Sequence, residues 1–326
     1  MLNRLKASFD PYILALLGTV ALASWQPARG AFAPFCEGLA SAAIVLLFFL
    51  HGAKLSREAI LAGAGHWRLH LATLGATFVL FPILGLGIAH IPGLPVLVAS
   101  GMLFLTLLPS TVQSSIAFTS IARGNVAAAV VSASFSNLAG IFITPLLVTL
   151  LMGGSGAQMS LAAVEKIVVQ LLLPFIAGHL LRPWVGGFIA RHKGLVGYVD
   201  RGSILMVVYS AFSAAVVEGL WHQLPLWELA LILALGLLLL ALVLGATWGL
   251  GAALGFVRAD RIVLLFCGSK KSLASGVPIA GVLFAPSQVG VVILPLMLFH
   301  QIQLMACAVI ARRFAGQNVE NAGEEA

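Results

Sequence analysis

Two adjacent lysines stand inside an apolar stretch long enough to cross a membrane. Gly268-Ser269-Lys270-Lys271-Ser272 is preceded by Ile262-Val263-Leu264-Leu265-Phe266 and followed by Leu273-Ala274-Ser275-Gly276-Val277-Pro278. At about 2.5–3.5 kcal/mol per lysine at a helix centre, the pair costs about 5–7 kcal/mol unless it faces protein or water. A second apolar stretch is broken by Pro109-Ser110-Thr111-Val112-Gln113-Ser114-Ser115. Ammonium groups beside hydroxyls and an amide can recognise an anion by charge and hydrogen bonding. Two interrupted apolar helices in matching halves of a chain point to a transporter's binding site. The expected substrate-binding residues are therefore Pro109, Ser110, Thr111, Gln113, Ser114 and Ser115 from one break, with Ser269, Lys270, Lys271 and Ser272 from the other.

Pro109 removes a backbone donor, and Ser110 or Thr111 suits the N-cap of a helix restarting toward Arg123. Gly268 and Ser269 suit the same task before a restart near Lys271. Each restarted half-helix would aim the positive end of its dipole at the membrane midplane, adding to the lysine charge. Lys271, at the start of the second half-helix, is expected to supply that charge. The competing reading is that it pairs with backbone carbonyls left open at the break. Singly, the hydroxyls can also serve helix packing or bond carbonyls one turn back.

Downstream, Ser132, Ser134, Ser136 and Asn137 precede Thr144-Pro145, and packing against the broken helix is their expected role. An ion site would draw on Ser114, Ser115, Ser136 and Asn137, with His300 and Gln301 from a polar patch that also holds Gln303. His66 and His70 have metal-like spacing but no carboxylate partner, and Cys36, Cys267 and Cys307 are scattered. No metal, no cofactor and no catalytic residue is expected. An intramembrane hydrolase using Ser269 or Ser272 with Lys271 is the enzyme alternative. It lacks a nucleophile-elbow or Ser-x-x-Lys motif, and adjacent side chains on a helix diverge.

The elements that must position these groups follow from composition. The chain has 326 residues, of which 60% are hydrophobic and 9% charged, against about 25% charged in soluble domains. It reads as an all-α membrane protein, one integral membrane domain over 1–326 with a disordered tail at about 314–326. Apolar windows place ten transmembrane helices near 10–27, 37–54, 67–90, 95–121, 125–152, 161–182, 199–219, 227–256, 260–284 and 287–311. Alternating sides divide the basic residues unevenly. Arg4, Lys6, Lys54, Arg57, Arg68, Arg123, Arg182, Arg191, Lys193, Arg201, Arg258, Arg261, Arg312 and Arg313 share one side, while only Arg29 and Lys166 take the other. By the positive-inside rule both termini are cytoplasmic. The net charge of +7 is thus accounted for by short loops, and nucleic acid is not an expected partner. Five spans per half make the halves inverted repeats, about 10–152 and 161–311, with the broken spans four and nine in matching positions. The basic connection 182–201, with Trp184, Phe188 and Tyr198, is expected at the cytoplasmic interface.

With these residues in hand, nearly the whole chain resembles the bile acid:sodium symporter superfamily, and most closely its SBF-like branch. The resemblance rests on Phe48-Phe49-Leu50-His51-Gly52-Ala53-Lys54-Leu55-Ser56, the Pro109–Ser115 segment, Arg123-Gly124-Asn125 before Ala127-Ala128-Ala129, and Gly140-Ile141-Phe142-Ile143-Thr144-Pro145. Phe266-Cys267-Gly268-Ser269-Lys270-Lys271-Ser272-Leu273 is its most specific part. It implies two inverted five-helix repeats, a panel domain, a core domain in which helices four and nine cross at their breaks, and organic anions moved by alternating access. Sodium-dependent relatives resemble one another in a helix-four Ser-Asn pair and a helix-nine Glu with a Gln four residues on. Here Ser114-Ser115 stands at the pair, and Phe266 and Lys270 stand at the Glu and Gln positions.

The expected function is a secondary-active transporter, a symporter by family type, carrying a small or amphipathic organic anion with its site at the crossing of helices four and nine. The resemblance offers sodium as coupling ion, but the substituted positions predict no strong sodium dependence. Protons, a counter-substrate or no coupling remain open. The lipid bilayer is the expected environment, in a bacterial cytoplasmic or inner membrane. The alternative from another class is a non-transporting regulator of ion homeostasis.

Overall fold

The computed structural model describes residues 11–54, 63–153, 165, 168–223 and 225–324. Arg4, Lys6, Ser56, Arg57 and Lys166 lie outside them. Among the described residues there is no strand. The helices are α1 (Pro11–Trp25), α2 (Phe32–Lys54), α3 (Trp67–Ala89), α4 (Val96–Thr106), α5 (Gln113–Ile121), α6 (Val126–Met152), α7 (Val168–Arg191), α8 (Lys193–Val217), α9 (Leu226–Ala253), α10 (Arg258–Gly268), α11 (Leu273–Leu283) and α12 (Pro286–Glu324). Eight helical stretches are long and apolar enough to span a bilayer, with α10 and α11 counted together as Arg258–Leu283; α1 and α4 are shorter apolar helices. The chain is a multi-pass membrane protein.

The fourth and ninth apolar stretches are both interrupted, at residues 107–112 and 269–272. The cap expected at the first interruption is replaced: Val112 occupies the N-cap of α5 and provides no side-chain cap bond. The second restart comes at Leu273, two residues beyond Lys271. The connection expected over 182–201 is largely helical, because α7 continues through Pro183 to Arg191 and α8 begins at Lys193. α12 reaches Glu324, with no proline after Pro295 to end it, so helix extends into the stretch expected as a tail.

The chain divides into two compact units. The first contains residues 1–56, 145–229 and 274–294. Within it α2 packs on α7, and α8 packs on both α1 and α2. The α2–α7 crossing is made by Gly52 and Gly178. A Cβ on Gly52 would strike the Phe175 carbonyl oxygen, and one on Gly178 would strike that of Phe49. Small residues let membrane helices approach until backbone meets backbone. Lys54 of α2 pairs with Asp200 of α8.

The second unit contains residues 57–144, 230–273 and 295–326. It holds α3, α4, α5 and α10 with the parts of α6, α9 and α12 inside these bounds. The turn from α5 to α6 explains the Arg123-Gly124-Asn125 run. Arg123 adopts a left-handed conformation (φ 59°); its N–H bonds to Ser120 O and that of Gly124 to Thr119 O, a helix-ending pair of bonds. A Cβ on Gly124 would meet Ile262 and Thr119 side chains at 2.6 and 2.8 Å. Asn125 then caps α6, accepting from Ala128 N–H at 3.0 Å, while its amide donates to Asp260 of α10 at 3.0 Å. One three-residue turn thus ends α5, starts α6 and ties both to α10.

Candidate functional site

Both interruptions lie in the second unit and bond to each other. Breaking a helix leaves its last carbonyls without partners, and here several of them can be followed to donors. Thr106 O and Leu108 O accept from Lys271 Nζ at 2.8 and 2.6 Å. Leu107 O accepts from Thr144 Oγ1 at 2.8 Å, and Pro109 O from the Ser272 N–H at 2.8 Å. On the other helix of the crossing, Phe266 O accepts from Ser115 Oγ at 3.0 Å and Leu265 O from Ser269 Oγ. The sequence places Thr144 and Gly140 one turn apart on α6, and Gly140 leaves room for the Pro109 ring, which a Cβ would meet at 2.6 Å.

The third proton of Lys271 goes to Thr77 O at 2.8 Å. That carbonyl is open for a local reason. Residues 76–80 form a π-helical turn in which Phe81 N–H bonds to Ala76 O, five residues back. The next bond in that register would run from residue 82 to Thr77, but residue 82 is proline. Lys271 Nζ, 4.1 Å from the Phe81 ring centroid, therefore completes one broken helix and one bulged helix at once. The arrangement matches the competing reading of Lys271, closure of open backbone carbonyls. An ammonium has three donors, and all three are in use. An ammonium that gives all its protons to carbonyls has no lone pair with which to activate Ser269 or Ser272.

Gln303 of α12 fixes the peptide that carries this lysine. Its Oε1 accepts from Lys271 N–H at 2.8 Å, its Nε2 donates to Lys271 O at 2.9 Å, and His300 Nδ1 lies 2.8 Å from Nε2. The sequence marked Gln303 only as part of a polar patch; no local pattern ties it to a backbone 32 residues away. Gln303→Leu should lower stability by about 2–6 kcal/mol, since it leaves a buried N–H and C=O unpaired at about 1–3 kcal/mol each. Thermal denaturation in lipid checks this, and a variant as stable as the unmodified protein would remove Gln303 from the account.

Lys270 is the opposite case. It is fully buried and its Nζ has no hydrogen-bond partner among the described residues. It rests over the Phe118 and Phe266 rings, 4.4 and 5.4 Å from their centroids, close enough to the Cys267 and Cys307 thiols to interact with them electrostatically. Phe266, Cys307, Ala122, Ile262, Leu265 and Ala311 form an apolar cluster there, with Phe118 packed against it. Two cation–π contacts return about 0.5–2 kcal/mol each, against a desolvation penalty of several kcal/mol for a buried ion.

The remaining expected residues divide. Thr111 Oγ1 lies 2.9 Å from Ser114 Oγ and 3.2 Å from Ser115 Oγ, a hydroxyl cluster at the start of α5. Ser110 is buried, with its N–H bonded to Ser136 Oγ at 3.0 Å, so Ser136 supports the break. Gln113 is exposed at the first turn of α5, and Gln301 is half-buried on α12. Asn137 is half-buried on α6. His70 meets Ser132 Oγ at 2.7 Å. Among the described residues no cluster of His, Cys, Asp or Glu could hold a metal ion.

Interrupted, mutually bonded membrane helices with charged groups at the break are the arrangement in which transporters build their binding sites. The SBF-like CPA transporter family matches residues 10–316, and the chain belongs to that family. It is 56% identical over 310 residues to "Putative symporter YfeH" of Escherichia coli (strain K12), covering 94% of this chain and 93% of that one. "Uncharacterized protein PA2026" of Pseudomonas aeruginosa is also 56% identical, over 311 residues, with 94% and 93% covered. "Sodium/bile acid cotransporter 7" of Rattus norvegicus is 26% identical over 276 residues, covering 82% of this chain and 80% of its own.

Proposed function

We propose that this chain is a secondary-active transporter of an organic anion, working by alternating access with its substrate site where the fourth and ninth spans cross. The observation that carries the reading is the pair of interruptions bonded to each other around two buried ammonium groups. An anion is the ligand such a spot favours, and the hydroxyl cluster Thr111, Ser114 and Ser115 adds hydrogen-bond donors beside it. The relative named for bile acids supports an amphipathic anion as the substrate class.

The ten spans form two inverted repeats in this reading. Spans one, two, six and seven fall in the first unit and three and four, with nearly all of eight, in the second, while span nine is divided between them after Leu273. In the first unit α1 packs on α8 and α2 on α7, the pairing that exchange of equivalent spans generates. Both repeats also change unit at a proline inside the fifth helix of the half, Pro145 and Pro295. The protein lies in a bacterial inner membrane with cytoplasmic termini.

Transport proceeds without sodium. Sodium needs several oxygen ligands and negative charge, whereas the helix-nine positions concerned carry Phe266 and the ammonium of Lys270. Saturable uptake of labelled taurocholate into proteoliposomes tests the reading, and its absence across a panel of organic anions would refute it. Replacing sodium by choline at constant ionic strength should leave uptake and thermal stability nearly unchanged. A saturable sodium-induced stabilisation of about 2.7 kcal/mol, the linkage value at 100 times the dissociation constant, would contradict sodium independence alone.

A further inference from the structure

We infer that the two lysines have separate tasks: Lys271 is a positioning residue that holds the crossing together, and Lys270 is the group that contacts the anion. The inference rests on the organic-anion reading and deepens it. Lys271 Nζ gives its three protons to Thr77 O, Thr106 O and Leu108 O, so it has none for a ligand. Lys270 Nζ, one residue away, is equally buried and has none of its donors in a hydrogen bond. A buried ammonium with three idle donors is costly, and an acceptor that joins it during the working cycle offsets that cost.

Its surroundings also define the acceptor's chemistry. Phe118 and Phe266 flank the ammonium, and the side chains around them are apolar. A carboxylate or sulfonate on an apolar body matches that setting, whereas a strongly hydrated inorganic anion would lose its water without replacement. Non-helical backbone over residues 269–272 lets neighbouring lysines send their side chains to different partners. Lys270 thus carries stability lost for the sake of binding, and Lys271 stability gained.

The two roles separate by experiment on the full chain in lipid nanodiscs, with taurocholate as probe. Lys270→Met should raise the melting temperature by about 2 °C or more, because it removes an unpaired buried charge. It should also weaken the taurocholate-induced thermal shift by about 30-fold or more in half-saturating concentration. Lys270→Arg should restore part of that response. A Lys270→Met variant that is less stable than the unmodified protein overturns the inference, as does one that is more stable but responds to taurocholate unchanged; the organic-anion reading survives both. If the unmodified protein gives no response to taurocholate or to other amphipathic carboxylates and sulfonates, the reading fails and the inference falls with it.

Discussion

Lys271→Met should fail to accumulate as folded protein. The substitution leaves Thr77 O, Thr106 O and Leu108 O without their donor. Each buried acceptor stranded in this way costs about 1–3 kcal/mol, so the three together approach the whole stability of a typical domain, about 5–15 kcal/mol. Removal of one buried charge offsets part of this. Lys271→Arg should give an intermediate loss, because a planar guanidinium fork cannot reproduce three bonds converging on one nitrogen. Folded yield by size-exclusion profile and melting temperature in nanodiscs measure both variants. A Lys271→Met protein with an unchanged melting temperature would show that the three bonds do not hold the crossing.

The second large effect belongs to the first unit. Gly52→Ala and Gly178→Ala each place a Cβ against a carbonyl of the facing helix, backbone that cannot rotate away. Overpacking of this kind costs about 1–3 kcal/mol or more, and α2 must move away from α7. Because both substitutions press on one crossing, the double variant should lose clearly less than the sum of the singles: helices already pushed apart admit a second methyl easily. Melting temperatures of the two singles and the double decide it. Strict additivity would mean that the two glycines do not share a contact.

These cases show where residue patterns suffice. Apolar windows located the spans, and Pro109 and the lysine pair located both interruptions, because local composition reports membrane burial and broken backbone directly. The support from span five was also legible, since hydroxyls on an apolar helix must find acceptors or donors nearby, as Ser136 and Thr144 do. The division of labour between the lysines was not. It depends on Pro82 in a π-helical turn nearly 190 residues upstream, which frees Thr77 O, and on Gln303 gripping the Lys271 peptide from another helix. Helical-wheel spacing gave no guide either, because residues 269–272 are not helical. Sequence suits Ser110 or Thr111 to cap the restart, but the Thr111 hydroxyl joins Ser114 and Ser115, and the N-cap falls to Val112.

The central claim, an anion site where the two interruptions meet, is tested most directly by electron cryo-microscopy of the full chain in nanodiscs with saturating taurocholate. The account predicts ligand density at the crossing, with its sulfonate within hydrogen-bond distance of Lys270 Nζ and its apolar body beside Phe118 and Phe266. Ligand density confined to a site away from residues 107–115 and 266–272, with the crossing unchanged and empty, would contradict it.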